Sequence, residues 1–202
     1  MRIKVDFHIH SIYSGDSNLT VDEIIRFYYN NGFKAIAITD HDSFEGALKA
    51  RKLVEDLGLD LIVILGAEIS TLDGDLIVLV NEEFSPIPIN IDDLLRTVKN
   101  FGGLTIAPHP FDPYRHSLGN KIFEVDIDVI EVLNASSFKK YNLMALRAMK
   151  ILGKPGIACS DAHNYNDLGK AYTIIEVNDL SINSIFKAIK LNRIIRRVLV
   201  KK

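Results

Sequence analysis

Five short stretches of this chain carry side chains of the kind that grip cations. Residues 5–11 read VDFHIHS, with Asp16 six positions past His10, and the others read TDHD, GAEIS, APHP and SDAH. Together they present His8, His10, Asp16, His41, Glu68, His109, Asp161 and His163, and five of the six histidines in the chain fall inside them. Residues two apart in a strand share a face, so His8 with His10, and Asp161 with His163, converge as pairs. Buried imidazoles are costly without partners, and a shared cation is a common partner for so many. Imidazole nitrogen and carboxylate oxygen without thiolate suit zinc, manganese or iron(II) and fit calcium or magnesium poorly. Eight ligands exceed the four of a tetrahedral zinc, so two or three divalent transition-metal ions sharing a bridging carboxylate account for them economically. Each stretch alone has a plainer reading: His-x-His occurs in ordinary sheets, and Asp161 with His163 could be a hydrogen-bonded core pair. Recurrence at five strand ends favours the metal centre.

The elements that must position these groups alternate in period. Residues 3–9, 34–39, 59–68, 75–80, 104–107, 125–134, 155–159 and 171–177 read as strands. Residues 19–31, 43–57, 92–101, 139–152 and 181–192 read as helices. The first has Thr20 as cap and Glu23 in capping-box position. Residues 194–200 either extend the last helix or add a strand. Such alternation predicts a parallel α/β architecture. His41 shares parity with Ala35, Ala37 and Thr39, His109 with Thr105 and Ala107, and Asp161 with Ile157, Cys159 and His163. Small residues on that face, with Ile36, Ile38, Leu104 and Ile106 opposite, suit a narrow barrel interior and a helix-covered exterior. Polar residues closing several strands are the habit of (β/α) barrels, shared with open α/β sheets. About eight strands in 202 residues make a compact, irregular barrel. The same parity sends Arg2 and Lys4 inward with His8, which requires an open bottom where their charges reach water.

Bulk properties bound the function. A chain of 202 residues, 48% hydrophobic and 25% charged, is expected to form one domain over residues 1–202 with a substantial core. A net charge of −2 gives no global attraction for nucleic acid or acidic membranes, yet bound metal would supply local positive charge for a phosphate. Cys159 stands alone, so no internal disulfide forms. A strand begins at once, without a basic-then-apolar leader, and no apolar run is long enough to span a bilayer. A cytoplasmic enzyme or binding domain is expected.

The set FHIHS with Asp16, TDHD, GAEIS, APHP and SDAH resembles the polymerase and histidinol phosphatase (PHP) family of metal-dependent phosphoesterases, from Lys4 to about Val177. The resemblance implies a distorted seven-stranded (β/α) TIM-like barrel with up to three metals at one face. It assigns His8, His10, Glu68 and Asp161 to a first ion, Glu68 and His109 to a second, and Asp16, His41 and His163 to a third. The family usually adds a histidine on the strand after the GAEIS glutamate; here that strand reads GDLIVLV and has none. His116 in PFDPYRHSLG either takes that place or is a surface loop residue. Asp40 either orients the site or caps a helix.

Metal-bound hydroxide attacking in line would hydrolyse a phosphate ester: a phosphomonoester, a nucleotide or a nucleic-acid end. Nucleotide-type substrates are favoured, since single-domain relatives of this shape include such enzymes. Asp161 and Glu68 would serve catalysis through the metals, and Arg115 is the best non-metal phosphate contact. No glycine-rich phosphate loop is present. Cys159 reads as a small buried hydrophobe, and Tyr13 and Tyr114 either stack on a base or pack at the pocket edge. The C-terminal FKAIKLNRIIRRVLVKK, with seven basic residues and no acid, reads as a solvated terminal element. The competing readings are amide hydrolysis on the same metals and a non-catalytic barrel subunit binding RNA or protein.

Overall fold

The computed structural model describes residues 1–200; Lys201 and Lys202, the end of the basic tail, lie outside the described residues. The strands are β1 (Arg2–Asp6), β2 (Ala35–Ile38), β3 (Ile62–Ser70), β4 (Asp75–Val80), β5 (Leu104–Ala107), β6 (Val129–Asn134), β7 (Gly156–Cys159), β8 (Ala171–Glu176) and β9 (Ile194–Leu199). The helices are α1 (Val21–Asn30), α2 (Glu45–Asp56), α3 (Ile91–Asn100), α4 (Lys139–Leu152) and α5 (Ile182–Lys190). Helix α1 begins where the Thr20 hydroxyl accepts from the Glu23 N–H and the Glu23 carboxylate accepts from the Thr20 N–H, the reciprocal capping box. Asn90 and Ser181 cap α3 and α5 through a side-chain oxygen alone, without the reciprocal bond.

The nine strands form one sheet in the order β7-β6-β5-β4-β3-β2-β1-β8-β9. The sheet has nine strands, against seven implied by the resemblance; residues 194–199 form β9 rather than extending the last helix. Nor is it parallel throughout. β1, β2 and β3 are parallel, as are β5, β6 and β7, but β4 is antiparallel to both neighbours and β8 to both β1 and β9. The physical reason for β4 is its connection: four residues join Ser70 to Asp75, too few for a crossover to a parallel neighbour.

The sheet curls until its ends meet. At the rim the chain beyond β1 pairs with the chain beyond β7: Asp161 N–H donates to His8 C=O at 2.9 Å and His10 N–H to Ala162 C=O at 3.0 Å. Below the rim β7 faces β8 without a ladder, and the Thr173 hydroxyl takes its place. It accepts from Ala158 N–H at 2.8 Å and donates to Ala158 C=O at 2.9 Å. Arg197 on β9 adds a bond from Nε to Gly156 C=O at 2.6 Å.

Two apolar layers result. One fills the barrel with residues from β1 to β8, among them Val5, Ala37, Ile64, Leu79, Ile106, Val129, Ile157 and Ile175, and is floored by Phe186 and Ile189 of α5. The other lies between strands and outer helices and includes Ile36, Ile38, Leu65, Val78 and Ile130. This corrects two parity expectations. Ile3, Val5 and Phe7 face inward, so Lys4 lies outside, its Nζ donating to Asn31 C=O at 3.0 Å, and Arg2 sits exposed beside Glu176. On β5, Leu104 and Ile106 face inward and Ala107 outward. Alternation fails because the strands end early: β1 stops at Asp6, and Phe7 faces in while Ile9 faces out.

If the Thr173 hydroxyl closes the barrel seam, Thr173→Val keeps the shape and leaves a buried N–H and C=O unpaired, at about 1–3 kcal/mol for each group. Urea unfolding should show a lower midpoint with an unchanged slope, and Thr173→Ser should recover most of the loss. A midpoint equal to wild type would place the closure elsewhere.

Candidate metal centre

Every sequence-predicted site residue comes to one rim, at the carboxyl ends of β1, β2, β3, β5 and β7. The chain leaving β1 is held by buried Asp6, whose carboxylate accepts from Tyr28 hydroxyl at 2.6 Å, Ser160 N–H at 3.1 Å and His8 N–H at 3.4 Å. Burial pushes that carboxyl up to about 6, against the pull of those donors. Thr39 N–H donates to Ile9 C=O, and Glu68 N–H to Asp40 C=O, so the ends of β1, β2 and β3 are fastened in sequence. His109 and Asp161 have left-handed backbones, at φ 29° and 51°. Such conformations cost of order 1–3 kcal/mol outside glycine, and both side chains enter the rim, His109 although its parity partner Ala107 faces outward.

Four atoms converge at its centre. His8 Nε2 lies 3.0 Å from His10 Nε2, 3.1 Å from Glu68 Oε2 and 3.3 Å from Asp161 Oδ1. His10 Nε2 lies 3.2 Å from Glu68 Oε2 and 3.5 Å from Asp161 Oδ1. The five spacings resemble the edges of a tetrahedron, about 3.3–3.4 Å for ligands about 2.0–2.1 Å from its centre. Asp161 Oδ1 is buried with no hydrogen-bond partner, a costly state for a carboxylate oxygen. His8 Nδ1 faces Glu131 Oε1 at 3.1 Å; a carboxylate only accepts, so Nδ1 carries the proton and Nε2 offers its lone pair inward. The donor set fits a divalent cation.

Glu68 faces two ways. Its Oε2 looks toward His8 and His10, and its Oε1 lies 3.0 Å from His109 Nε2. At the outer side, Asp16 Oδ2 lies 3.0 Å from His163 Nε2 and 3.4 Å from His41 Nε2. Donor atoms of His10, Asp16, His41 and His163 all lie within 4.8 Å of one another. Arg115 reaches Asp161 Oδ2 from its loop at 3.1 Å. Asp40 accepts from Ser11 N–H and hydroxyl at 2.6 and 2.7 Å, orienting the turn after His10 rather than capping α2, where no side-chain cap bond forms. Cys159 is buried below the rim, and burial pushes its thiol up.

Sequence reasoning missed three buried groups. Glu131 on β6 receives His109 N–H at 2.6 Å as well as His8. Asn134 donates to Glu131 and to Asp161 Oδ2. Asp75, the first residue of β4, lies beside Glu68 and His109. Glu131 carried a signal, an acid sharing the face of Val129 in an otherwise apolar strand. Asp75 was hidden by its place at the start of a strand, which the reversal of β4 brings to the rim.

Burial opposes charge throughout, and at the central groups the mutual contacts overrule it. Glu68 and Asp161 are held well below the usual carboxylate range by His8 and His10, with His109 acting on Glu68 and Arg115 on Asp161. Burial would lower His8, but Asp161, Glu68 and Glu131 hold it well above the usual imidazole value. Asp161 and Glu68 likewise raise His10 to about 9. In metal-free protein the raised histidines stabilise the fold below their unfolded value of 6.5 and lose that contribution as pH rises through their folded values, about 9 for His10. The depressed carboxylates contribute above their unfolded values of 4.5 and 3.8 and lose it below them. Chelator-stripped protein should therefore melt highest between about pH 4.5 and 6.5. It should lose stability toward pH 9, about 3 kcal/mol of it from His10, and added zinc or manganese should restore the melting temperature there. A flat profile in stripped protein would contradict this electrostatic account.

Comparison with known proteins agrees with this geometry. The PHP domain matches residues 6–87, and a region described as PHP-associated matches residues 139–194. An uncharacterized protein of Methanocaldococcus jannaschii, MJ1587, is 36% identical over 143 residues, 66% of this chain and 82% of that protein. A two-domain protein from Bacteroides vulgatus, described as containing a predicted PHP-like metal-dependent phosphoesterase, superposes with a TM-score of 0.77 at 20% identity over 96% of this chain. The lesion-specific endonuclease of Pyrococcus furiosus gives a TM-score of 0.70 at 20% identity over 98% of it. The chain spans 64% and 58% of those two structures. Since the matched segments carry His8, His10, His41, Glu68, Asp161 and His163 to a common rim, the chain belongs to the PHP domain family.

Proposed function

We propose that this chain hydrolyses phosphate esters with two or three divalent zinc, manganese or iron ions held at the rim. The observation that carries the reading is the convergence of His8, His10, Glu68 and Asp161 on one point, with the second oxygen of Glu68 turned to His109. His8, His10, Glu68 and Asp161 would hold one ion, Glu68 and His109 a second, and Asp16, His41 and His163 a third. Bound ions of this kind supply a nucleophile from water near neutral pH and shield phosphate charge.

The chain's own residues do the rest. Glu131 and Asn134 fix the orientation of His8, His109 and Asp161, so the donors need no rearrangement. Arg115, about one third exposed beside Asp161, offers a forked donor to a phosphate oxygen. Next to it Tyr114 is 77% exposed and Phe138 63% exposed, with ring centroids 6.1 Å apart. Ser137 hydroxyl donates to Asp112 Oδ2 at 2.7 Å and ties the two loops together. Exposed aromatic rings beside a phosphate contact favour a nucleotide or nucleic-acid end, because base stacking contributes about 1–3 kcal/mol. Among the described residues no helix is long and apolar enough to cross a membrane.

Purified protein loaded with manganese or zinc should hydrolyse members of a panel of phosphomonoesters, nucleotides, nucleotide bisphosphates and short oligonucleotides. Hydrolysis of none of them would overturn the reading. His41→Ala and Asp161→Asn should each cut turnover by orders of magnitude with the fold intact by circular dichroism. Tyr114→Ala with Phe138→Ala should raise KM for nucleotide substrates about tenfold while leaving an aryl phosphate unaffected. Equal effects on both substrates would remove the stacking role.

A further inference from the structure

We infer that Asp75 is a cation-holding residue of this chain, positioned by His116, and that the pair makes the site beside Glu68 and His109 rich in carboxylate. The inference rests on the metal-dependent reading above. Asp75 is only 5% exposed, and its carboxylate lies with Glu68 and His109 in a group whose donor atoms are all within 4.8 Å of one another. Two acidic groups so close, with one imidazole between them, repel each other unless positive charge is added. Asp75 Oδ1 faces His116 Nδ1 at 3.0 Å, and Oδ2 has no hydrogen-bond partner among the described residues.

His116 does not reach the centre itself. Its side chain is 55% exposed, its Nδ1 faces Asp75, and it belongs to none of the donor groups at the rim. A backbone bond doubles the tie, from Asp75 N–H to His116 C=O at 2.6 Å. The approach is close enough that Gly74 is needed: its φ is +142°, and a Cβ there would meet Leu118 N at 2.7 Å and Ser117 C at 2.8 Å. An imidazole N–H on one carboxylate oxygen fixes the carboxylate and leaves the other oxygen free, the arrangement of a ligand with a supporting partner. Two carboxylates and one imidazole form a harder donor set than one carboxylate and two imidazoles, and should favour manganese or iron(II) over zinc.

The reversal of β4 makes this possible. Asp75 shares the inward face of Ile77 and Leu79 and stands at the amino end of its strand, yet that end is level with the carboxyl end of β3, Asp75 pairing with Ser70.

Chelator-stripped wild type, Asp75→Asn, Asp75→His, His116→Ala and His116→Asn can be titrated with manganese and with zinc by calorimetry, with bound metal counted by elemental analysis. Asp75→Asn is isosteric, and the melting temperatures of the stripped proteins check folding. The expected result is that Asp75→Asn loses one equivalent of manganese or weakens one class of sites at least 100-fold. His116→Ala should weaken the same class about 10–100-fold without changing the count, and His116→Asn, whose amide can still donate, should recover most of it. Asp75→His should keep the count and shift preference toward zinc. Wild-type stoichiometry and affinities in Asp75→Asn would overturn the inference, as would loss of the site in His116→Ala but not in Asp75→Asn. Failure of wild type to bind either metal would instead remove the proposed function itself, so the two failures are separable.

Discussion

The rest of the structure depends on one crowded point where two imidazole nitrogens and two carboxylate oxygens face each other across 3.0–3.5 Å. All four groups are buried. Without positive charge at their centre the lone pairs repel, and the desolvation of Glu68 and Asp161 is not offset. Protons on His8 and His10 relieve this in part, which is why both histidines are held above their ordinary value. A divalent ion relieves it more fully, since it draws on every lone pair at once. Protein and cation would thus form one electrostatic unit, and the fold supplies the stiffness to keep the donors assembled.

That stiffness comes from tying strand ends to one another rather than to solvent. Asp6 gathers Tyr28 of α1, Ser160 beyond β7 and His8 beyond β1, so three separate parts of the chain meet under the centre. Glu131 holds His8 by its side chain and His109 by its backbone. A ring displaced in either direction breaks a buried charge-assisted hydrogen bond, each contributing about 1.5–3 kcal/mol. The apolar barrel filling below, closed by α5, keeps the polar layer at the rim. The left-handed backbones at His109 and Asp161 are sustained by these ties.

Much of this was legible in the sequence, and the failures are instructive. The eight candidate ligands that meet at the rim could be picked out without the structure, because residue type and strand-end position are local properties. Strands 75–80 and 104–107 and the helix 139–152 were placed to the residue, since glycine and proline punctuation marks them. Side-chain direction was less legible. Parity assumes that a strand continues, and β1 stops two residues before His8 and four before His10, and β5 two before His109, leaving turns to aim the side chains. The direction of β4 was available in principle, because a four-residue link permits only a hairpin. Reading the fold as uniformly parallel discarded that signal, and with it Asp75. Glu131 was passed over because an acid in a strand is usually solvent-facing, although its neighbours on that face were apolar.

Exposure is graded across the rim, and the grading has a direction. His8, His10, Glu68 and Asp161 are buried, whereas Asp16, His41 and His163 are reached by solvent. Donors in contact with water give up less hydration to bind a cation, but they also share it with water, so charge there is held less firmly. In the proposed reading, the inner ions belong to the fold and the outer one to the open side of the site. Arg115 stands beside Asp161, with Tyr114 next to it in its loop and the Phe138 ring against Tyr114. In the same reading, a phosphate beside Arg115 and the bound ions would meet positive charge, while the ester's organic part would be left over the exposed rings. Such an arrangement would demand charge at the phosphorus and tolerate variety beyond it, as expected where recognition rests on stacking rather than on hydrogen bonds to base edges.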